Sequence, residues 1–496
     1  MSETFSFEQI PANLQVPGAY AEITTGTLLS SLRVMPLKAL IIGVLGAGSG
    51  SSGVVYRSIT ASRAKTLAGA NTMTARAVAA FATDAPYTQL DLVMLQPADG
   101  ATATTWTVTP VFAAGASSGQ LALVVNGQRV PVTVTAGMNA AQFGAAFISA
   151  FTSDLQTASG FSAGADATSG VITLTSYEKG AWTADMDVRA SQLSYDVTAG
   201  VTLTVAMQAA GVGSPDVTSA LQLTASTWYT DIISCMNDGA NLTVLGTEMK
   251  RRYNAMAKLD AHCYVALSNT YGQALSVADT LDNQFLTVLS AQKARWEPAV
   301  AAASFAAVAS AALNTDPARQ LRTLELTALS GLGPDDSDQY DDTMRNILLL
   351  NGISTFLVGQ DGTVTIERAV TTRKTDENGN ASTAWHDITI PKTATRVRYD
   401  FNSYVQATYP RAKLVDDGSP VASIGGGIVS PSVMQQSWIG RAKLYEQQGW
   451  IENTTILAKS CSFARDPSDR NRLNGRMPIQ IVGNLIVLAT QIVLES

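Results

Sequence analysis

The stretch from Pro478 to Leu494 reads PIQIVGNLIVLATQIVL, and only Glu495 and Ser496 follow it. Terminal segments that nothing ties down are usually polar and frayed. This one is aliphatic on both alternating faces: Ile479, Ile481, Leu485 and Val487 on one, Val482, Ile486, Leu488 and Ile492 on the other. A strand apolar on both faces is covered on both. Left bare, it is a template for aggregation. The segment is therefore expected to lie in a sheet, either its own or a neighbour's. The first choice describes an ordinary globular protein, the second a protein that polymerises.

Composition narrows the class. A chain of 496 residues exceeds one core, and two to four domains is the expectation. Only 15% of residues are charged, against about 25% in an average soluble domain, which suggests a surface largely covered by other protein. The net charge of -7 disfavours direct contact with nucleic acid, which needs a basic footprint, and with anionic membranes. Cys235, Cys263 and Cys461 lie far apart in no CxxC pattern, as reduced structural thiols do. The first residues, MSETFSFEQIPANLQ, lack the basic and apolar regions of a signal peptide. The alanine-rich run Ala299–Leu313 is short of the ~20 residues a membrane helix needs and reads as a packed helix.

Residues 1–20 read as an arm, in which Ile10, Leu14, Val16 and Tyr20 are expected contacts and Pro11 and Pro17 forbid a long helix. Residues 21–97 alternate as α/β, with strands at Lys38–Val44 and Leu90–Leu95 and helical periodicity over Thr60–Thr83. Residues 98–211 are rich in Ala, Gly, Ser and Thr and read as an inserted α+β domain. Asn126-Gly127 there, between Gln120–Val125 and Gln128–Val134, predicts a type I′ hairpin. A helix is expected over Ala140–Leu155. The α/β rhythm returns over residues 212–342. A last domain is placed at 343–477, with helices over Thr393–Tyr409 and Val433–Gln448, and an arm strand at 478–496.

The candidate chemical motifs are weak. Gly48-Ser-Gly-Ser-Ser-Gly53 matches GxGxxG after a strand, but Val54-Val55-Tyr56 continues as strand, so no helix N-terminus cradles a phosphate. His262 opens an apolar strand and His386 sits beside Trp385; neither accompanies a GxSxG elbow. The acidic loop Asp335–Asp342 lacks the central Gly and terminal Glu of a calcium loop. No catalytic residue, cofactor or metal site is therefore assigned. Two polar groups remain as candidate contacts to a neighbouring subunit: Arg441, Lys443 and Glu446 on one helix, and Arg465, Asp469, Arg470 and Arg472 before the terminal strand. A solvated surface is the alternative for both.

Taken in order, several short motifs resemble contractile phage tail sheath proteins, most closely those of Mu-like phages and prophages. They are Val16-Pro-Gly-Ala-Tyr-Ala-Glu-Ile23, Leu40-Ile-Ile-Gly43, Leu67-Ala-Gly69 through Phe81, Asn126-Gly-Gln-Arg-Val130, Asp316-Pro-Ala-Arg319 and Leu348-Leu-Leu-Asn-Gly-Ile-Ser354. Gly362-Thr-Val-Thr-Ile-Glu-Arg-Ala-Val-Thr-Thr372 is the most specific, followed by Tyr409-Pro-Arg-Ala-Lys-Leu414 and Asp466-Pro-Ser-Asp-Arg-Asn-Arg-Leu473. The resemblance implies a subtilisin-like α/β core without catalytic residues, the outward-facing insertion, a C-terminal α+β domain facing the tail tube, and arms that add strands to neighbouring subunits. It also implies a helical homo-oligomer of stacked hexameric rings and partners in the tail tube, baseplate and tail terminator proteins. The implied place is a virion tail assembled in the host bacterial cytoplasm. A phage-derived bacteriocin or injection particle is the alternative within the class; type VI secretion sheaths resemble the chain less. An α/β serine hydrolase is the alternative from another class.

Overall fold

The computed structural model describes residues 32–423 and 427–494. The expected arm contacts Ile10, Leu14, Val16 and Tyr20 lie outside them. The protein is a mixed α/β multidomain chain. Its central sheet has eight strands, in the order Val364–Arg368, Ile353–Val358, Leu286–Ala291, His262–Ser268, Asp231–Ser234, Lys38–Val44, Gln89–Leu95, Val55–Tyr56. The inner six are parallel and the two outermost antiparallel to their neighbours. Runs such as KALIIGV and HCYVALS suit strands covered by helices on both faces. Helix Pro298–Thr315, long and apolar enough to cross a membrane, is two-thirds buried inside the protein; its alanines let it pack closely on helix Met73–Asp84.

Two expected helices are each broken in two, for the same physical reason. Gly69, at φ 109°, ends Ala61–Ala68, and the Thr72 side chain then caps Met73–Asp84 by accepting from Ala75 N. In the insertion, Ala140–Ala150 stops at Phe151, and Thr152 caps Ser153–Ser159. Small cap residues inside an apolar period are easily read through.

The inserted domain leaves after Gln89–Leu95 and returns before Asp231–Ser234. One sheet has the order Val201–Ala209, Thr105–Phe112, Ile172–Ser176, Phe161–Ala165; the other has Gln128–Val134, Gly119–Val125, Val188–Ala190. Its own core holds Phe143, Phe147, Phe151 and Phe161. The hairpin turn has Asn126 at φ 46° and Gly127 at φ 77°, as a type I′ turn requires.

Strands Ile353–Val358 and Val364–Arg368, read from the sequence as the start of a last domain, are hydrogen-bonded into the central sheet. A separate core gathers around helices Thr389–Thr408 and Pro431–Gln447, through Phe401, Trp438, Tyr445 and Trp450. Beside it lies a two-stranded antiparallel sheet, Ser462–Arg465 with Leu473–Arg476.

Candidate inter-subunit surface

The terminal segment is held at two places and then pairs with no strand among the described residues. Ile481 bridges Ile451, Glu452 N donates to Gln480 O at 2.8 Å, and Val482 N donates to Trp450 O at 3.3 Å. Ile479 and Val482 pack against the C-terminal core. Asn484 then clasps the loop after the alanine-rich helix. Its Nδ2 donates to Ala318 O at 3.1 Å and its Oδ1 accepts from Gln320 N at 3.3 Å. Gln320 Nε2 donates to Leu485 O at 3.2 Å. Beyond this point residues 486–494 form no strand with any described residue. Leu485, Val487 and Leu488 are 70%, 77% and 75% exposed, and Ile492 is 88% exposed; Ile486 is half-buried. Among the described residues, none supplies the expected cover on both faces.

Arg441 corrects an expectation. It is 3% exposed, its Nε lies 3.0 Å from Asp400 Oδ2, and its Nη2 bonds the same oxygen. Tyr445 OH donates to that oxygen at 2.6 Å, and Arg33 N donates to Asp400 Oδ1 at 2.6 Å. The guanidinium also stacks 5.0 Å from the Tyr404 ring. Met434, Trp438, Arg441, Ala442 and Tyr445 follow helical spacing on the buried stripe, so the arginine points inward with the aromatics. Lys443 and Glu446 are on the exposed side. Glu446 is occupied locally: the Thr454 hydroxyl and N–H donate to it and hold its carboxyl below the usual range.

The mixed-charge turn between Ser462–Arg465 and Leu473–Arg476 is organised around Asp466. That carboxylate accepts from the Ser468 hydroxyl at 2.6 Å, Asn474 Nδ2 at 2.9 Å and the N–H groups of Ser468 and Asp469, which hold it far below the usual range. Arg465 reaches Asp416 at 3.0 Å and Arg470 O at 2.8 Å. Asp469 accepts from Asn471 N, and Arg472 Nε donates to Asn474 Oδ1 at 2.8 Å. The turn is therefore rigid, with Asp469, Arg470 and Arg472 exposed on it.

The glycine-rich loop is explained by packing. Gly46 N and Gly48 N donate to Ala68 O, Ser49 N to Thr66 O, and Gly50 N to Leu67 O. These amides satisfy carbonyls at the C-terminal end of helix Ala61–Ala68, the opposite polarity to a phosphate cradle. A Cβ at Gly48 would lie 2.1 Å from Leu67 O. Gly48→Ala is therefore expected to cost about 1–3 kcal/mol, read as a lowered melting temperature; an unchanged value would remove the packing explanation.

His262 is buried, with Nε2 2.8 Å from Thr287 Oγ1; burial, and secondarily Lys392, pushes its pKa well down. It lies at the N-terminal end of its strand, whereas ligands of α/β sheets gather at the carboxyl ends. The acidic loop is tied down rather than free in solvent: Asp335 pairs with Arg295 and Arg189, and Asp338 with Lys293. Since Arg189 belongs to the insertion, this loop is one of its moorings.

Residues 210–372 match the phage tail sheath protein central domain. That segment is similar to a sheath domain. The match takes in the central strands from Asp231–Ser234 to Val364–Arg368. Over 473 residues, 95% of each chain, the protein is 25% identical to the Mu-like prophage FluMu tail sheath protein of Haemophilus influenzae. A sheath tail protein of Desulfitobacterium hafniense aligns with a TM-score of 0.48 and 12% identity, over 94% of this chain and 100% of that one. One from Listeria innocua aligns with a TM-score of 0.49 and 11% identity, over 91% and 94%. Both the clasp at Asn484 and the buried Asp400–Arg441–Tyr445 cluster escaped the sequence reading; only the aromatic spacing around Arg441 hinted at the second.

Proposed function

We propose that this chain is the subunit of a contractile tail sheath that polymerises helically, as stacked hexameric rings, around a tail tube. In this reading it is a structural component of a virion tail, assembled in the host cytoplasm with tube, baseplate and terminator proteins. The observation that carries the reading is the terminal segment: anchored as far as Asn484, then apolar, exposed and unpaired with any strand among the described residues. A neighbour's sheet gives it the cover that the described residues of its own subunit do not. The two-stranded sheet Ser462–Arg465 with Leu473–Arg476 is the natural acceptor, because a lone hairpin is marginal by itself and each of its strands has one partner among the described residues. Arg470 and Arg472 then flank the incoming strand.

Strand addition supplies main-chain hydrogen bonds worth about 1 kcal/mol net each. Each aliphatic side chain covered adds about 1.5–3 kcal/mol. A head-to-tail contact of this kind does not close on itself and builds a helical array. The strand links can persist while weaker contacts between subunit bodies exchange, so contraction becomes a switch between two packings of one set of subunits.

The test is electron microscopy of the purified chain, alone and mixed with its tube protein. Regular tubes are the expected result. A monodisperse monomer under both conditions, or stoichiometric labelling by an active-serine probe, would overturn the reading.

A further inference from the structure

The inserted domain meets the core at a chemically unusual place. Strand Lys38–Val44 has Gln89–Leu95 on one side and Asp231–Ser234 on the other, so the chain's direction across the sheet reverses there. The carboxyl ends of strands at such a point form the crevice where α/β proteins hold ligands. Here the insertion's own turn fills part of it. Trp182 is buried with the core residues, and Glu178 and Lys179 line the cleft of about 590 Å³ that remains beside Val44, Leu45 and Gly46.

Glu178 is 8% exposed, and its Oε2 accepts from Met73 N, the first residue of helix Met73–Asp84, at 2.5 Å. One turn along, Arg76 Nη2 lies 3.5 Å from the same oxygen. Arg76 Nε lies 2.6 Å from Glu297, which is 3% exposed and also accepts from Asn126 of the inserted hairpin. Asp185, from the insertion, receives Asn237 Nδ2 at 3.4 Å. Two carboxylates, Glu178 and Glu297, thus share one guanidinium across a domain joint, with Asp185 nearby on Asn237. Glu178 Oε1 and Glu297 Oε2 are both buried without a hydrogen-bond donor. Arg76 Nε and Nη2 are likewise buried without a well-aligned acceptor, so the imbalance is one of charge: two buried carboxylates face one guanidinium, and a proton on a carboxyl oxygen removes the excess negative charge.

We propose that Glu178, with Arg76, Glu297 and Asp185, forms a proton-sensitive latch that holds the inserted domain on the core. The latch is tight when Glu178 is protonated and looser when it is ionised. Other groups face the joint from every side. The buried Cys235 thiol lies on the sheet side, and Lys65, Arg295 and Asp154 line the cleft by Arg76. Lys179 and Asp99 line the cleft by Glu178. All these charged groups are at the cleft walls, and among the described residues only Arg76 makes ion pairs with Glu178 and Glu297. The helix N-terminus favours the anion by up to ~2 kcal/mol, but burial beside a second carboxylate opposes it. Burial raises Glu178 to about 7, against the pull of Arg76, and raises Asp185 to about 6. Because the docked state keeps its proton to higher pH than the free carboxyl at 4.5, docking is fully stabilised below that value. It weakens as pH rises through about 7.

The test is limited proteolysis of the full chain in the crossing segments 97–103 and 209–215, normalised to an unstructured reference peptide at each pH. Between about pH 5.5 and about pH 8 the cleavage rate is expected to rise about tenfold or more. Glu178→Gln is expected to remain slow throughout, since the amide is neutral and brings its own donor. A rate independent of pH in the unmodified chain, or a Gln variant with the unmodified slope, would overturn the latch. If Glu178→Gln does not fold, hydrogen exchange at the Met73 amide of the unmodified chain decides. Protection corrected for intrinsic exchange should fall over the same interval, and constant protection would refute it.

Discussion

Truncation after Asn484 is expected to abolish tube formation and leave a folded subunit. The residues removed include Leu485, Val487, Leu488 and Ile492, all at least 70% exposed. They contribute little to their own fold, and the melting temperature should move by no more than ~2 °C, as for a surface change. The polymer, by contrast, loses every backbone hydrogen bond and every covered aliphatic group of the linking strand. The point of truncation matters. Ile479 and Val482 pack into the C-terminal core, so a cut before Pro478 would damage the fold as well as the link. A gentler version replaces Ile486 and Leu488 with Asp. It should leave soluble subunits that sediment as monomers where the unmodified chain pellets as tubes. Unchanged tubes would show that the segment is not the link.

Asp400→Ala is expected to cost about 3–5 kcal/mol. The change leaves the Arg441 guanidinium, 3% exposed, without its carboxylate, and strands the Tyr445 hydroxyl that donates to the same oxygen. Removing one partner of a buried pair is far more costly than the pair is stabilising, because the surviving charge stays in a place water cannot reach. Tyr445 carries the mark of this site: burial and the Asp400 carboxylate push its pKa up. Lys443→Ala, two residues from Arg441 but exposed, should change stability by no more than about 0.5 kcal/mol. Urea denaturation of the two variants separates the cases. Equal stabilities would mean that Arg441 is solvated after all.

The core was largely legible because parallel strands buried on both faces leave unbroken apolar runs. Lys38–Val44 and the Asn126-Gly127 hairpin were read with the bounds the structure has or within a residue. What periodicity could not show was punctuation by caps, as at Thr72 and Thr152, and the sheet to which a strand belongs, as for Ile353–Val358. Polar residues misled most. Arg441 was read as exposed because arginines usually are; its place on a stripe with Trp438 and Tyr445 is visible only in retrospect. Glu178, Arg76 and Glu297 come from three distant parts of the chain and share no spacing that a sequence displays. The clasp at Asn484 likewise joins residues more than 160 positions apart.

The terminal strand remains the centre of the account, now reduced to the part beyond Asn484. The most direct test is disulfide trapping in assembled tubes, with Val487→Cys in the strand and Asn474→Cys in the hairpin. Oxidation should yield a ladder of covalent oligomers from the double variant and none from either single variant. A double variant that forms only an intramolecular bond, or tubes that yield no ladder, would contradict the claim that each subunit completes its neighbour's sheet.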